Sequence, residues 1–138
     1  MKLLAAIATL AAGIGAFFWS KRDKGGIQAD SKFRGQLKRA IAEVGRVAPM
    51  KFKNNNITLT TPKAEKVENG LPVFWVKSEQ RFVGGHWTGG GRIAVALHNG
   101  EIHNGALLHE LWHVLLGQHG VPVAEHHALM RKHGVYGA

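Results

Sequence analysis

The chain contains no cysteine. That absence excludes a disulfide framework, a Cys-ligated zinc finger, a thiol nucleophile and an iron–sulfur centre. Any metal must therefore sit on His, Asp or Glu. Acidic residues are also scarce, 9 against 18 Lys and Arg, which leaves a formal charge of +9. Tyr136 is the only tyrosine, and no histidine occurs in the first 85 residues. All 9 histidines fall between His86 and His133, a bias that a metal or proton-handling site in the C-terminal half would produce. Low-complexity sequence and internal repeats are absent, and a hydrophobic content of 45% argues for a globular state. A length of 138 residues leaves room for one domain.

From residue 33 onward, 13 Lys and Arg face 7 Glu, a net +6 for the folded part. That excess suits anionic surroundings such as lipid headgroups, nucleic acid or an acidic cell-wall polymer, and equally a solvated basic surface. At the N-terminus, Met1-Lys2 precedes 17 uncharged residues, Leu3 to Trp19. This run is just long enough for a thin hydrocarbon core, and Phe17, Phe18 and Trp19 sit where an aromatic belt belongs. Residues 1–20 therefore read as a transmembrane anchor or a signal peptide, with Ala11-Ala12-Gly13 a tolerable cleavage site. The expected localisation is a membrane, through a single N-terminal pass, or secreted or periplasmic if the segment is removed. Residues 21–32, with Gly25-Gly26, read as a linker to a domain over 33–138.

Within that domain, Phe33, Leu37, Ala40, Ile41, Val44 and Val47 recur at helical spacing up to Ala48-Pro49. Strands are expected at 57–60, 73–77 and 92–98, with a short fourth at 80–83. Residues 84–91 are too glycine-rich for a strand interior and read as a long hairpin connection or a loop beside a cleft. Asn104 is a suitable N-cap for a helix over 106–116, ended by Gly117. Pro122 then opens a last helix that runs to about His133.

Residues 109–113 read His-Glu-Leu-Trp-His. Positions i and i+4 of a helix share a face, so His109 and His113 can present both imidazoles to one ion. Zinc suits two nitrogens, a third protein ligand and an open position for water. Glu110 then lies beside the metal, placed to accept a proton from zinc-bound water and deliver it to a leaving amine. Leu107, Leu108, Val114, Leu115 and Leu116 surround the motif, so it lies on a buried helix with one polar stripe. A carboxylate in that setting is costly unless it has a use.

In this motif the sequence resembles the zincin metallopeptidases, whose signature is H-E-x-x-H. The resemblance covers residues 106–133 and, more loosely, the preceding strand. It implies an α+β fold: an N-terminal helix, a small sheet of three to four strands, the active-site helix and a C-terminal helix. It further implies a catalytic zinc (Zn2+), Glu110 as general base, and peptide or other amide bonds as substrate. Three readings of the third ligand stay open. His119 matches the H-E-x-x-H-x-x-x-G-x-H spacing of WLM proteases, while the glycine of metzincins would lie one residue earlier. His126, followed by Met130, resembles the ligand of SprT-like proteases, with His127 as its neighbour. Glu125 would resemble the ligand of glutamate zincins. Helical phase puts Val123, Leu129 and Met130 on the buried side of the last helix, with His126 near its centre and His127 at its edge. A buried imidazole needs a partner, so phase favours His126 as the third ligand.

His127, His133 and Tyr136 are candidates to stabilise an oxyanion, and His98 and His103 are candidate outer partners. His86 reads as an ordinary surface residue. The leading expectation is a membrane-tethered zinc metallopeptidase that cuts proteins or the peptides of peptidoglycan, as a phage or bacterial lytic endopeptidase does. The family resemblance adds DNA-bound proteins, against which the apolar N-terminus counts. The competing expectation is a non-catalytic membrane-anchored binding protein with a closed structural site that uses both His119 and His126. Nucleic-acid binding alone has weak support, because no basic stripe with interleaved aromatics is present.

Overall fold

The computed structural model describes residues 22, 23 and 25–138. Helix α1, Ser31–Val47, begins where the Asp30 side chain accepts a hydrogen bond from the Lys32 N–H at 2.9 Å. Its residues Phe33, Leu37, Ala40, Ile41 and Val44 are buried at the spacing the sequence shows. Helix α2, Asn104–Gln118, crosses the domain as its central element and packs against α1. A 3-10 turn at Val123–Glu125 leads into the short helix α3, His126–Lys132.

Eight short strands complete the fold. Strands β1 (Thr58–Thr60), β5 (Gly85–Trp87) and β6 (Arg92–Val95) form one sheet, ordered β1-β6-β5. In it β1 runs parallel to β6, and β5 pairs antiparallel at the edge nearest α2. Strands β2 (Lys66–Glu68), β3 (Leu71–Val76) and β4 (Arg81–Val83) form an antiparallel meander. Strands β7 (Leu97–His98) and β8 (Glu101–Ile102) form a separate hairpin. One core, including Leu37, Ile57, Leu59, Leu107, Leu111 and Leu115, joins α1 and α2 to the first sheet. A smaller cluster of Phe74, Val76, Val83 and Ala96 lies under the meander.

This architecture corrects the expected one. Among the described residues the class is α+β with three helices, but in place of one sheet of three to four strands there are three small sheets. Tight turns keep two of the ladders short. Asn69-Gly70 and Asn99-Gly100 both hold positive φ, 50° and 80° in the first pair and 52° and 76° in the second. Such pairs close two-residue hairpins and end each ladder early. The expected strand over 92–98 divides into β6 and β7 at Ala96, whose N–H donates to the Gly84 carbonyl at 3.0 Å while the next N–H, of Leu97, turns to the Pro62 carbonyl at 2.7 Å. The glycine-rich stretch yields an edge strand, β5, where a loop was expected.

The expected transmembrane or signal helix has no counterpart among the described residues. No helix among the described residues is long and apolar enough to cross a membrane. The apolar helix α2 has 15 residues, about 22 Å of rise against roughly 30 Å of hydrocarbon. The apolar run of residues 1–20 lies outside the described residues. Part of the expected linker belongs to the fold, since Ile27 and Ala29 are buried and the Gln28 N–H donates to the Ile57 carbonyl at 2.8 Å.

Two cap assignments also change. His103, not Asn104, caps α2, its Nδ1 accepting from the Ala106 N–H at 3.1 Å. Asn104 accepts instead from the Gln36 side chain at 3.3 Å. Gly117 lies inside α2, and Gly120, with φ of +71°, takes the left-handed position that ends it.

Gly91 marks the closest backbone approach between β1 and the turn into β6. A Cβ at Gly91 would lie 2.0 Å from the Asn56 carbonyl oxygen. Gly91→Ala is expected to lower stability by about 1–3 kcal/mol through this overlap. A shift in urea midpoint at constant slope checks it; an unchanged midpoint means the β1–β6 backbone yields freely.

Candidate metal centre

Helix α2 is buried over most of its circumference, from Ala106 and Leu107 through Leu111, Trp112, Val114, Leu115 and Leu116. One edge carries His109, Glu110 and His113. The Nε2 atoms of His109 and His113 lie 3.3 Å apart, as the i, i+4 spacing implies. The reversal at Gly120 carries α3 back across α2, and there His127 sets its Nε2 3.2 Å from that of His113. His109, His113 and His127 form a group that could hold a metal ion, with ligand atoms all within 4.8 Å of one another. Among the described residues no other cluster of His, Cys, Asp or Glu meets that description.

The structure thus brings His127, and not His126, to the pair on α2. Helical phase does bury His126, which is 1% exposed. Both of its ring nitrogens meet other protein atoms. Nδ1 faces Nδ1 of His113 at 2.9 Å, and Nε2 donates to the Val121 carbonyl at 2.9 Å. His127, exposed at the border of the buried stripe, lines the cleft with His109 and His113, and His126 does not. His119 turns its Nε2 to the Lys51 carbonyl at 2.6 Å, so it joins α2 to the chain after α1. Glu125 is exposed and outside the group. A closed site of four ligands would need His119 and His126 turned inward, and both ring Nε2 atoms face carbonyls.

The walls of the site come from distant segments. The Trp87 ring on β5 stacks on His113 with centroids 5.4 Å apart and planes within 3°. It has room because residue 117 is glycine, where a Cβ would come 2.8 Å from Cζ2 of Trp87. The Nδ1–H of His109 donates to the Tyr136 carbonyl at 2.8 Å. A carbonyl can only accept, so the His109 lone pair lies on Nε2, towards the other two rings. Tyr136 therefore contributes its backbone to the site, while its ring packs on His103 at 5.1 Å. His133 bonds the Leu129 carbonyl and leans on Trp112, which leaves it out of the centre. His98 is exposed on β7, and His86 pairs with Glu79 at 3.4 Å.

The three histidines and Glu110 line a cleft of about 590 Å³ whose far wall is the β2–β4 meander, with Leu71, Val73 and Phe82. Glu110 is 6% exposed. Its carboxylate lies against the backbone of Gly85, where a Cβ would come 2.7 Å from Oε2. Burial, reinforced by the Glu79 charge and opposed by Arg81, pushes its pKa up to about 8. Burial also pushes His113 down to about 3, with neighbouring imidazoles adding to the effect, and lowers His109.

Family models, curated proteins and solved structures were all searched, and none matches the chain. The geometry of the site carries the functional reading alone. Sequence reasoning found His109, Glu110 and His113, and held His127 as an alternative. It missed the roles of Gly85, His126, Tyr136 and Val121. The roles of Tyr136 and Val121 rest on backbone carbonyls, which leave no side-chain signal.

These shifts set the pH dependence of the metal-free protein. Glu110 holds its proton more tightly folded than unfolded, so its contribution is full below about pH 4.5 and is lost as pH rises to about 8. His113 has the opposite sign: its contribution is present above 6.5 and is lost as pH falls towards 3. In chelator, Glu110→Gln is expected to gain stability over wild type between pH 5 and 9, on the order of 4 kcal/mol. Urea unfolding at both pH values measures it. A difference that does not grow with pH contradicts the raised pKa.

Proposed function

We propose that the protein is a zinc-dependent hydrolase of peptide (amide) bonds, with His109, His113 and His127 as ligands and Glu110 as the proton-transfer group. The observation that carries this reading is the convergence of three imidazole nitrogens at 3.2 and 3.3 Å beside a buried glutamate. Bare nitrogens facing one another at that distance repel unless a cation or a shared proton lies between them. Zinc–nitrogen bonds of 2.0–2.1 Å in a tetrahedron separate the nitrogens by about 3.3–3.4 Å. With the third pair within 4.8 Å, the His109–His113 and His113–His127 separations match this ion. When bound, it polarises a carbonyl and lowers the pKa of water towards neutrality, and three protein ligands leave one position open.

The chain's own groups supply the rest. Glu110 sits one residue after the first ligand and lines the cleft in which the ligands stand. In the metal-free cleft it keeps its proton near neutrality, and a nearby cation favours its carboxylate form. As a carboxylate it takes the proton of the attacking water, then returns it to the leaving amine. Gly85 lets that carboxylate lie beside the edge strand. The Trp87 ring covers one face of His113 and shields it from water. This division of labour is the one the H-E-x-x-H signature has in zincin metallopeptidases.

Full-length wild type is expected to bind one equivalent of zinc. His109→Ala, His113→Ala and His127→Ala should lose it, and His119→Ala should retain it; mass spectrometry under native conditions and elemental analysis decide. Glu110→Gln should keep zinc and lose hydrolysis of an unstructured protein or of peptidoglycan by about 10²–10⁴-fold. Zinc bound without hydrolysis of either substrate by wild type would favour a structural metal site.

Gly85→Ala tests the position of the carboxylate separately. The three atoms nearest the added methyl all belong to the Glu110 side chain and none to backbone, so the fold and zinc affinity should persist. Hydrolysis should fall on the order of 100-fold as Glu110 is displaced. Unchanged turnover would remove the tight approach from the mechanism.

A further inference from the structure

Beneath the three converging nitrogens lies a fourth imidazole with its own chain of hydrogen bonds. It begins in the backbone after α2. Gly120 takes the left-handed conformation, and the Val121 N–H donates back to the Leu116 carbonyl at 3.0 Å. This turn fixes the Val121 carbonyl, which lies 2.9 Å from Nε2 of His126. A carbonyl oxygen only accepts, so Nε2 of His126 carries the proton. A neutral ring with its proton on Nε2 has a bare Nδ1, and that atom is 2.9 Å from Nδ1 of His113. The shared proton then belongs to His113. With its one proton on Nδ1, His113 has a bare Nε2, the nitrogen that stands at the centre of the group.

We propose that His126 is a positioning residue for His113: through Val121 it selects the tautomer in which Nε2 of His113 is free to bind a metal. This rests on the reading of His109, His113 and His127 as ligands. Packing alone does not account for the pattern. His126 is 1% exposed, and the Trp87 ring lies 5.3 Å from it at 34°. An apolar side chain of similar size would fill that space without bringing a polar group into the core, at less cost. The ring is retained where both of its nitrogens are used, one on a carbonyl and one on a ligand. His109 receives the same service from the Tyr136 carbonyl directly. His113, deeper in the core, meets no carbonyl with its Nδ1 and receives it through an intermediary. Outer partners of this kind are worth about 10–100-fold in metal affinity.

The test uses the full-length chain and two readouts. Long-range proton–nitrogen correlation spectra of the metal-free protein should show His126 protonated on Nε2 and His113 on Nδ1. Zinc affinity, measured by competition with a chromogenic chelator, should fall about 10–100-fold in His126→Leu. His126→Asn presents an amide oxygen near the position of Nδ1 and should recover most of that loss. A proton on Nδ1 of His126, or on Nε2 of His113, in wild type would overturn the assignment; this reading stands even if the leucine variant fails to fold. Equal affinity in a folded His126→Leu would overturn it as well, as would loss in Asn as large as in Leu. Wild type that binds no zinc would overturn this inference and the ligand reading together. Wild type that binds zinc with His126→Leu unchanged would overturn this inference alone.

Discussion

Helix α2 must place two imidazoles and a carboxylate against a core that is otherwise apolar but for His126. Leu107, Leu111, Val114 and Leu115 are fully buried around it, so there is no charged outer face on which the polar groups could be solvated. Burying a polar side chain without a partner costs a few kcal/mol. The rest of the molecule answers that constraint. Strand β5 stands one edge away from α2, the meander stays back to leave a cleft, and α3 returns to supply the third imidazole. Carbonyls from the turn after α2 and from the chain's last residues take up the ring protons.

Close approach is what keeps the cleft narrow. Gly85 admits the Glu110 carboxylate against the edge strand, and Gly117 admits the Trp87 ring against the helix. Neither glycine needs an unusual backbone angle; each is required because a Cβ would occupy space that another side chain already fills. The cost appears in the titration behaviour. Glu110 is held above its usual range and His113 below its own, so the metal-free site resists charge of either sign. A divalent cation on the three nitrogens would relieve that strain by giving the carboxylate an opposite charge.

The basic surface has no comparable answer within the fold. Most of its ion pairs, such as Lys66 with Glu68 and Arg81 with Glu79, are solvent-exposed and contribute little to stability. The ammonium of Lys66 also lies 4.1 Å above the Phe82 ring, on the meander that faces the cleft. That contact ties the wall of the site to the charged surface around it.

Local spacing made much of this legible. The i, i+4 pair with an adjacent glutamate needs only the geometry of one helix, so His109, Glu110 and His113 could be read directly. The amphipathic period of α1 and the apolar run of α2 likewise depend on neighbours in sequence. The division into three sheets was less accessible. Asn-Gly pairs signal turns, but whether a strand continues past them depends on what lies beside it. Which of His119, His126 and His127 stands with His109 and His113 in a group that could hold a metal ion was decided by tertiary structure alone. Phase within one helix identifies the buried residue, and His126 is that residue. Which nitrogen faces an ion depends on how α3 crosses α2 after the turn at Gly120 and on which backbone carbonyls lie within reach. Side-chain type and spacing determine what a residue can bind, while the packing of distant segments determines what it meets.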